Sequence, residues 1–268
     1  MVMPALEKMQ CKVCGSHLTV RYGKIKGVQR WKCKLCGRNF LDNKARYHMK
    51  TPADQVAAAI RMHYDGLSLN FIRKQIEQEL NYCPSISTVY KWIGKYSRTA
   101  CARNQNCHPK VGDIWIADET SLVIDGKPVW IWDIIDKGTS FLLASHVSKN
   151  RGVRDIRALI EKALEKAAKT PKGIVADRLA PLLIEATSYP FKVEKSGREM
   201  AYFHSILQWR TDLMRYLKQF DKVVEFVDGW PIYYNYFRPQ ESLKGKTPSE
   251  VANIRFVTYQ EGGELIEA

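Results

Sequence analysis

The sequence predicts a multidomain α/β protein in three parts: a small cysteine-bearing module, an all-α module and a larger mixed-sheet domain. Residues 1–50 contain two CxxC pairs, and residues 51–98 contain three short amphipathic segments. Residues 113–252 alternate runs of β-branched and aromatic residues with amphipathic helices. Residues 99–112 are predicted to be a linker, and residues 253–268 a C-terminal tail.

The charge balance limits the kinds of partner to expect. The 268 residues include 42 Lys+Arg and 28 Asp+Glu, a net charge of +14. Such a surplus favours a polyanionic partner, more often nucleic acid than a membrane surface. No run approaches the ~18 apolar residues of a membrane span, and the N-terminus lacks a signal-peptide core. We therefore expect a cytoplasmic protein with no membrane partner, whose seven cysteines do not form a disulfide framework.

The first module carries four metal-ligand candidates: Cys11, Cys14, Cys33 and Cys36. Each CxxC pair is followed by a glycine that lets the chain turn tightly, and 18 residues separate the pairs. This spacing predicts a zinc ribbon with a structural Zn²⁺ ion; a redox-active CxxC is the alternative.

The arm between the cysteine pairs is basic. It contains Arg21, Lys24, Lys26 and Arg30, interleaved with aromatic residues. We expect these side chains to contact the backbone of DNA. A zinc ribbon that only docks another protein is the alternative interpretation.

The second module contains start and stop signals for three helices. Thr51-Pro52 and Ser68 are N-cap signals, and Gly66 is a stop signal. A third helix is predicted over residues 88–96 after a break at 84–87. This pattern predicts a helix-turn-helix, with a plain three-helix bundle as the alternative. The third helix would enter the major groove through Ser87, Thr88, Tyr90 and Lys91.

The third part opens with a predicted strand, 113–124, that has a carboxylate in its middle, Asp118. Two further strands, 128–135 and 140–147, extend an antiparallel meander, and a long amphipathic helix follows over 153–169. A fourth strand then ends at Asp177. This is a ribonuclease-H-like order in which the first and fourth strands are neighbours. It would bring Asp118 and Asp177 within reach of one divalent cation, as phosphodiester chemistry requires. A solvent-facing Asp118 at a strand edge is the alternative.

Several blocks resemble one known family, the bacterial and archaeal insertion-sequence transposases with a DDE catalytic domain, which are related to retroviral integrases. The resemblance lies in the CxxC pairs, STVYKW at 87–92, WIADET at 115–120, VAD at 175–177 and YNYFRPQESLKGKTPSEVA at 234–252. It implies that Asp118 and Asp177 are the first two catalytic carboxylates and that Mg²⁺ or Mn²⁺ is the cofactor. It also implies double-stranded DNA and a second copy of the chain as partners, with no small-molecule cofactor, in a nucleoid-associated prokaryotic protein.

The third carboxylate of the family has no counterpart here, because its position falls on Ala201. The interval of 24 residues from Asp177 is shorter than usual for the family. Glu199 and Glu194 are the candidate substitutes. Residues 199 and 201 differ by about 200° around a helix, so Glu199 and Ala201 would point to nearly opposite sides.

Three hypotheses follow. The first is a domesticated, sequence-specific DNA-binding protein in which strand transfer is impaired or lost. The second is an active Mg²⁺-dependent transposase that uses Glu199 or Glu194. The third is a scaffold that binds protein or RNA through its basic surface.

Overall fold

The computed structural model describes most of the chain and divides it into two compact units. The first unit contains the cysteine module, two helices, the start of a third helix and two C-terminal strands. The second contains the rest of that helix, a five-stranded sheet and the helices that follow. The described residues are 9–25, 27–43, 53–80, 83–186, 192–195, 200–214, 217–254, 257–259 and 265–267.

The cysteine module is a three-stranded antiparallel sheet in the order β1-β2-β3. The strands are β1 Thr19–Ile25, β2 Val28–Cys33 and β3 Asn39–Leu41. Trp31 pairs with Phe40, and both side chains are buried with Cys11 and Cys33. The predicted hairpin between the cysteine pairs is therefore present, and its small core includes two of the cysteines.

Three helices follow where the sequence predicted them: α1 Ala53–Tyr64, α2 Leu69–Leu80 and α3 Ile86–Asn104. Gly66 has a φ of 92°, consistent with the predicted stop, and Ser68 Oγ accepts from the backbone N–H of Phe71 at 3.2 Å. The predicted cap at Thr51 lies outside the described residues.

The predicted end of α3 near residue 96 is wrong, because the helix continues to Asn104, six residues into the segment predicted as a linker. Its last turns are stabilised by contacts the sequence did not reveal. Lys166 donates from Nζ to the carbonyls of Asn104 and Cys107 at 2.6 and 2.7 Å, which satisfies backbone acceptors at the helix end.

The second unit is built on a five-stranded mixed sheet in the order β6-β5-β4-β7-β8. The strands are β4 Ile114–Ile124, β5 Lys127–Asp136, β6 Leu142–Ser148, β7 Gly173–Ala176 and β8 Lys192–Lys195. The pairs β4-β5 and β5-β6 are antiparallel, whereas β4-β7 and β7-β8 are parallel. The predicted meander, crossover helix and neighbouring parallel strand are thus confirmed; β8 was not predicted.

The crossover helix is α4, Val153–Ala167, followed after β7 by the short α5, Ala180–Ala186. The side chains of α4 that face inward are Ile156, Leu159, Ile160, Ala163 and Ala167, all buried against Trp115, Trp132 and Ile134 of the sheet. This is the apolar face that the 3.6-residue period predicted.

The chain continues through α6 Met200–Met214, α7 Phe220–Ile232, a π-helical turn at Tyr233–Phe237, a 3-10 turn at Glu241–Leu243 and α8 Pro248–Val251. Here α6 packs on β4, and α7 packs on β6. The buried Asn235 accepts from the Leu142 amide at 2.8 Å and donates to its carbonyl at 2.9 Å. The C-terminal block therefore binds the backbone of edge strand β6 as another strand would.

The C-terminal segment holds two short strands, β9 Val257–Tyr259 and β10 Leu265–Glu267, paired antiparallel where no element was predicted. Among the helices that the structure describes, none combines the length and apolar character needed to span a membrane.

Candidate functional site

The four cysteines of the first module converge. Their sulfur atoms all lie within 4.8 Å of one another, so together they could hold a metal ion. The Sγ atoms of Cys11 and Cys36 are 3.7 Å apart, and those of Cys14 and Cys33 are 3.6 Å apart. The structure therefore brings together all four ligands that the sequence suggested.

Local turns build this cluster. Gly15 and Gly37 follow the two pairs with φ values of 71° and 72°, a left-handed conformation that disfavours a side chain. The backbone N–H of Cys36 donates to Cys33 Sγ at 3.5 Å and, with further N–H and S–H donors, lowers the pKa of the Cys33 thiol to about 6. A thiolate is the form that ligates metals.

The predicted basic arm is exposed on β1 and half-buried on β2. Arg21 and Lys24 are exposed, and Arg30 stacks over the exposed ring of Tyr22 at 4.7 Å from its centroid. Lys26 lies outside the described residues. Cation–π stacking holds a guanidinium near the surface without neutralising its charge, so this face stays positive.

The start of α3 gathers hydroxyl groups. Ser85 Oγ accepts from the Thr88 amide at 3.2 Å and lies 2.9 Å from Ser87 Oγ and 2.8 Å from Thr88 Oγ1. Ser87 and Lys91 are exposed, while Thr88 and Tyr90 are half-buried. The helix therefore begins with exposed polar groups at its positive dipole end.

In the second unit, the sheet register relates the two predicted catalytic carboxylates. The β4-β7 pairing joins Ile114 to Gly173, Trp115 to Ile174 and Ile116 to Val175. β7 ends at Ala176, so Asp177 is the first residue after the strand, and the same offset extended by two residues would place it opposite Asp118. Neighbouring strands lie about 4.8 Å apart, and residues opposite each other share a face of the sheet. Asp118 is buried and Asp177 is exposed, so the pair lies at the edge of the core.

Residues beside both carboxylates are joined by one guanidinium. Arg151, between β6 and α4, donates from Nε and Nη2 to the Glu119 carboxylate, with distances of 2.8 to 3.0 Å. Its Nη2 also donates to the backbone carbonyl of Arg178 at 3.0 Å. Sequence inspection did not reveal this link, although a glutamate in a buried strand is a signal that a cation must lie nearby.

Comparison with known families identifies this part of the chain. Residues 112–240 match the model of a transposase family that is described as a DDE domain. This segment is a DDE transposase domain. The resemblance inferred from the sequence blocks is therefore confirmed for the sheet and the helices after it. The ribonuclease-H-like order of the sheet agrees with this family match. The match supports a transposition-related function.

Two of the solved structures that this chain matches are integrase structures. The HTLV-2 integrase catalytic core domain, in a dimeric form with magnesium, has 14% identity and a TM-score of 0.41, covering 55% of this chain and 99% of that chain. A simian T-cell lymphotropic virus intasome in complex with PP2A regulatory subunit B56 gamma has 11% identity and a TM-score of 0.42, covering 70% and 71% respectively. Likeness this distant carries no argument about chemistry. A comparison with curated proteins found no match.

The DDE domain contains a further buried carboxylate that the sequence interpretation missed. Asp133 of β5 pairs directly with Asp118 across the antiparallel ladder and with Ser145 of β6. Arg210 of α6 donates to both Asp133 oxygens, at 2.9 and 2.5 Å, and both side chains are fully inaccessible to solvent. Ser145 Oγ donates to the same carboxylate at 2.5 Å. Asp133 is therefore already paired, and its charge anchors α6 over Asp118.

Ala201, the residue that the resemblance assigns to the third carboxylate position, lies in the first turn of α6, which begins at Met200. Glu199 lies outside the described residues. Glu194 lies on β8 and is paired with Val175 of β7. The strand β7 therefore lies between Glu194 and β4, the strand that carries Asp118. Among the described side chains, the four cysteines are the only group of three or more potential ligands close enough to share an ion.

Proposed function

We propose that this protein is a DNA-binding relative of DDE transposases that recognises duplex DNA but has impaired or lost strand transfer. The observation that carries the proposal is the β4-β7 register, which would set Asp118 opposite Asp177 if it were extended by two residues past its last pair. The family resemblance assigns the third position of this DDE domain to Ala201. Two carboxylates suffice to hold one divalent ion weakly. Two ions, which would activate the attacking oxygen and stabilise the leaving one, need a further carboxylate.

The N-terminal cluster fits Zn²⁺. A tetrahedral site with Zn–S bonds of about 2.3 Å holds its sulfurs about 3.8 Å apart. Two of the observed separations are 3.7 and 3.6 Å. Cys11, Cys14, Cys33 and Cys36 would each supply a thiolate, and the ion would supply the link between the two turns. The first module is therefore proposed to be a structural zinc ribbon.

Double-stranded DNA is the proposed partner, and a homodimer is the proposed assembly. The support for DNA is the net charge of +14, the exposed basic strand β1, and the polar start of α3 with Ser87 and Lys91 exposed. The homodimer is proposed from the family resemblance alone. In this proposal residues 51–98 act as a helix-turn-helix: Ser87, Thr88, Tyr90 and Lys91 contact the major groove, while Arg21, Lys24, Lys26 and Arg30 contact phosphates.

An active transposase is the second candidate, because a further strand bearing a carboxylate residue adjoins the site. Glu194 belongs to β8, which pairs with β7 in parallel. Glu194 is opposite Val175, so it lies two residues before the position that would be opposite Asp177. In this alternative Glu194, or Glu199 just before α6, completes the carboxylate set.

A strand-transfer assay separates the two candidates. Full-length protein, its Asp118→Ala variant and its Ala201→Glu variant would be incubated with the DNA ends flanking the gene and Mg²⁺ or Mn²⁺. We expect no joined product from the wild type and from Asp118→Ala, and a gain of product from Ala201→Glu. Product from the wild type that disappears in Asp118→Ala would contradict the proposal and support the active transposase.

Binding to a labelled duplex tests the DNA-binding half of the proposal. Affinity should fall steeply with salt, because basic side chains release counterions from the phosphates. Lys91→Gln should weaken binding more for the cognate duplex than for a scrambled one, whereas Lys24→Gln should weaken both equally. Weak binding that is indifferent to sequence would favour a scaffold that binds protein or RNA.

A further inference from the structure

We propose that Arg151 is the positioning residue that sets Asp118 and Asp177 at metal-binding distance. It bridges the residues that follow the two carboxylates in the chain. This inference rests on the proposed metal-binding role of Asp118 and Asp177 and adds a residue to that site.

The sheet holds only one of the two carboxylates in a paired strand. The ladder between β4 and β7 ends with the pair Ile116–Val175, and β7 itself ends at Ala176. Asp118 lies within β4 and pairs with Asp133 of β5, whereas Asp177 follows the last residue of β7. A carboxylate pair that shares one ion needs its spacing fixed to fractions of an ångström, and the β4-β7 ladder does not extend to Asp177.

Arg151 connects the residue that follows Asp118 to the residue that follows Asp177. Its guanidinium makes three N–H to oxygen contacts with Glu119, the residue after Asp118. A fourth contact reaches the carbonyl of Arg178, the residue after Asp177. A guanidinium has five donors in a planar fork, so it can hold a carboxylate with two nitrogens and still donate to a carbonyl.

The bridge also bears on the orientation of Asp118. The backbone N–H of Glu119 donates to Asp118 Oδ1 at 2.8 Å, so fixing Glu119 fixes one oxygen of the proposed ligand. Glu119 has a side chain 6% exposed, and Arg151 lies over the ring of Trp130 at 5.6 Å from its centroid. Burial on one side and stacking on the other restrict the motion of the ion pair.

The experiment measures Mn²⁺ affinity by isothermal titration calorimetry on full-length, zinc-loaded protein. Four variants are compared with the wild type: Arg151→Gln, Arg151→Lys, Arg154→Gln and Asp118→Asn. Arg154 is exposed in the first turn of α4, so Arg154→Gln removes the same charge three residues away and serves as the matched control.

We expect Arg151→Gln to raise the Mn²⁺ dissociation constant about tenfold, the lower end of the effect of losing an outer-shell partner. Arg151→Lys should raise the Mn²⁺ dissociation constant by a similar factor, because one ammonium cannot reproduce the planar set of donors that holds both Glu119 and the carbonyl of Arg178. Arg154→Gln should match the wild type, and Asp118→Asn should abolish the binding. A purely structural role for Arg151 would instead lower the urea midpoint and leave Mn²⁺ affinity unchanged.

Two other results would overturn the inference, and they are distinguishable. If Mn²⁺ binding depends on Asp118 but Arg151→Gln and Arg154→Gln behave alike, the metal site stands and the positioning role of Arg151 is wrong. If the wild type shows no binding that depends on Asp118, the proposed metal role of the carboxylates fails, and the inference fails with it.

Discussion

The two candidate metal centres of this protein are built in opposite ways. The four cysteines belong to two short turns, and their sulfurs already lie within 4.8 Å of one another. Asp118 lies on β4 and Asp177 directly follows β7, with β5, β6 and α4 between them in the chain, so their proximity depends on the register of a parallel pair. The first candidate centre has four cysteines that could share an ion, whereas the second has the proposed pair Asp118 and Asp177, with Ala201 at the proposed third position.

The two centres differ in how much of the fold each one requires. A cluster made by turns needs little from the rest of the fold, because ligands and glycines are neighbours in the chain. A site made by strands needs the whole sheet, and here it also needs side chains that hold the sheet and α6 together. Near Asp118, Arg210 is ion-paired with Asp133. Arg151 is ion-paired with Glu119, the residue after Asp118. These two ion pairs connect the sheet to the elements that pack beside it.

Metal removal should produce the largest effect, and it should be confined to the first centre. Stripping the protein with a strong chelator should remove one zinc per chain and abolish the dispersed amide signals of residues 9–43. The reason is that structural zinc supplies about 10 to 16 kcal/mol of apparent binding free energy to such a small module. Elemental analysis and NMR spectra measure the two changes.

Cys33→Ser should reproduce this loss, while Cys83→Ser, outside the cluster, should retain the metal. Unchanged spectra after complete zinc removal would show that the module folds without a metal, and the contrast between the two centres would be lost.

Breaking the buried ion pair under the second centre should have the next largest effect. Arg210→Met should lower the free energy of unfolding by about 3 to 5 kcal/mol, because it leaves Asp133 charged and unpaired in the core. Urea denaturation measures the change. The double variant Arg210→Met/Asp133→Leu should recover much of the loss, since it removes both charges.

The matched control is Arg98→Met, which breaks an ion pair with Glu225 in which Arg98 is 65% exposed. After discounting for solvent screening, its cost should stay below about 1 kcal/mol. Equal losses from Arg210→Met and Arg98→Met would show that the charges around Asp118 do not hold the scaffold.

The smallest effect should come from the turn geometry of the first centre. Gly37→Ala should cost about 1 kcal/mol, since the site has φ +72° and nothing within 4 Å of a new Cβ, so that only backbone strain opposes the change. Zinc affinity, measured by competition with a chromophoric chelator, should fall about fivefold. Gly152→Ala, at a φ of −146°, is the control and should leave zinc affinity unchanged. No loss with Gly37→Ala would contradict the role given to the turn.

Much of the fold could be predicted because its signals are local. The period of α4, the alternation of β4 to β6 and the cap at Ser68 each depend on residues within a few positions of one another. The end of α3 could not be predicted in this way, because Lys166, 62 residues further along the chain, binds its last carbonyl. Nor could the role of Asn235, which pairs with the backbone of Leu142.

The candidate site shows the same division. The cysteine ligands follow from spacing, and Asp118 and Asp177 follow from the order of strands. The partners Arg210 and Arg151 lie 77 and 32 residues from the carboxylates that they bind, and only the folded sheet brings them together. A carboxylate inside an apolar strand, such as Asp133 in WIWDIID, does indicate that a buried cation exists, but it does not say which one.

The most direct test of the central claim is the stoichiometry and affinity of Mn²⁺ at the carboxylate centre. Calorimetry on zinc-loaded protein should show one weakly bound ion per chain that is lost in Asp118→Asn. Ala201→Glu should tighten binding at least tenfold, because it restores a third carboxylate. Two tightly bound ions in the wild type, with no gain in Ala201→Glu, would contradict the account and show that another carboxylate already completes the site.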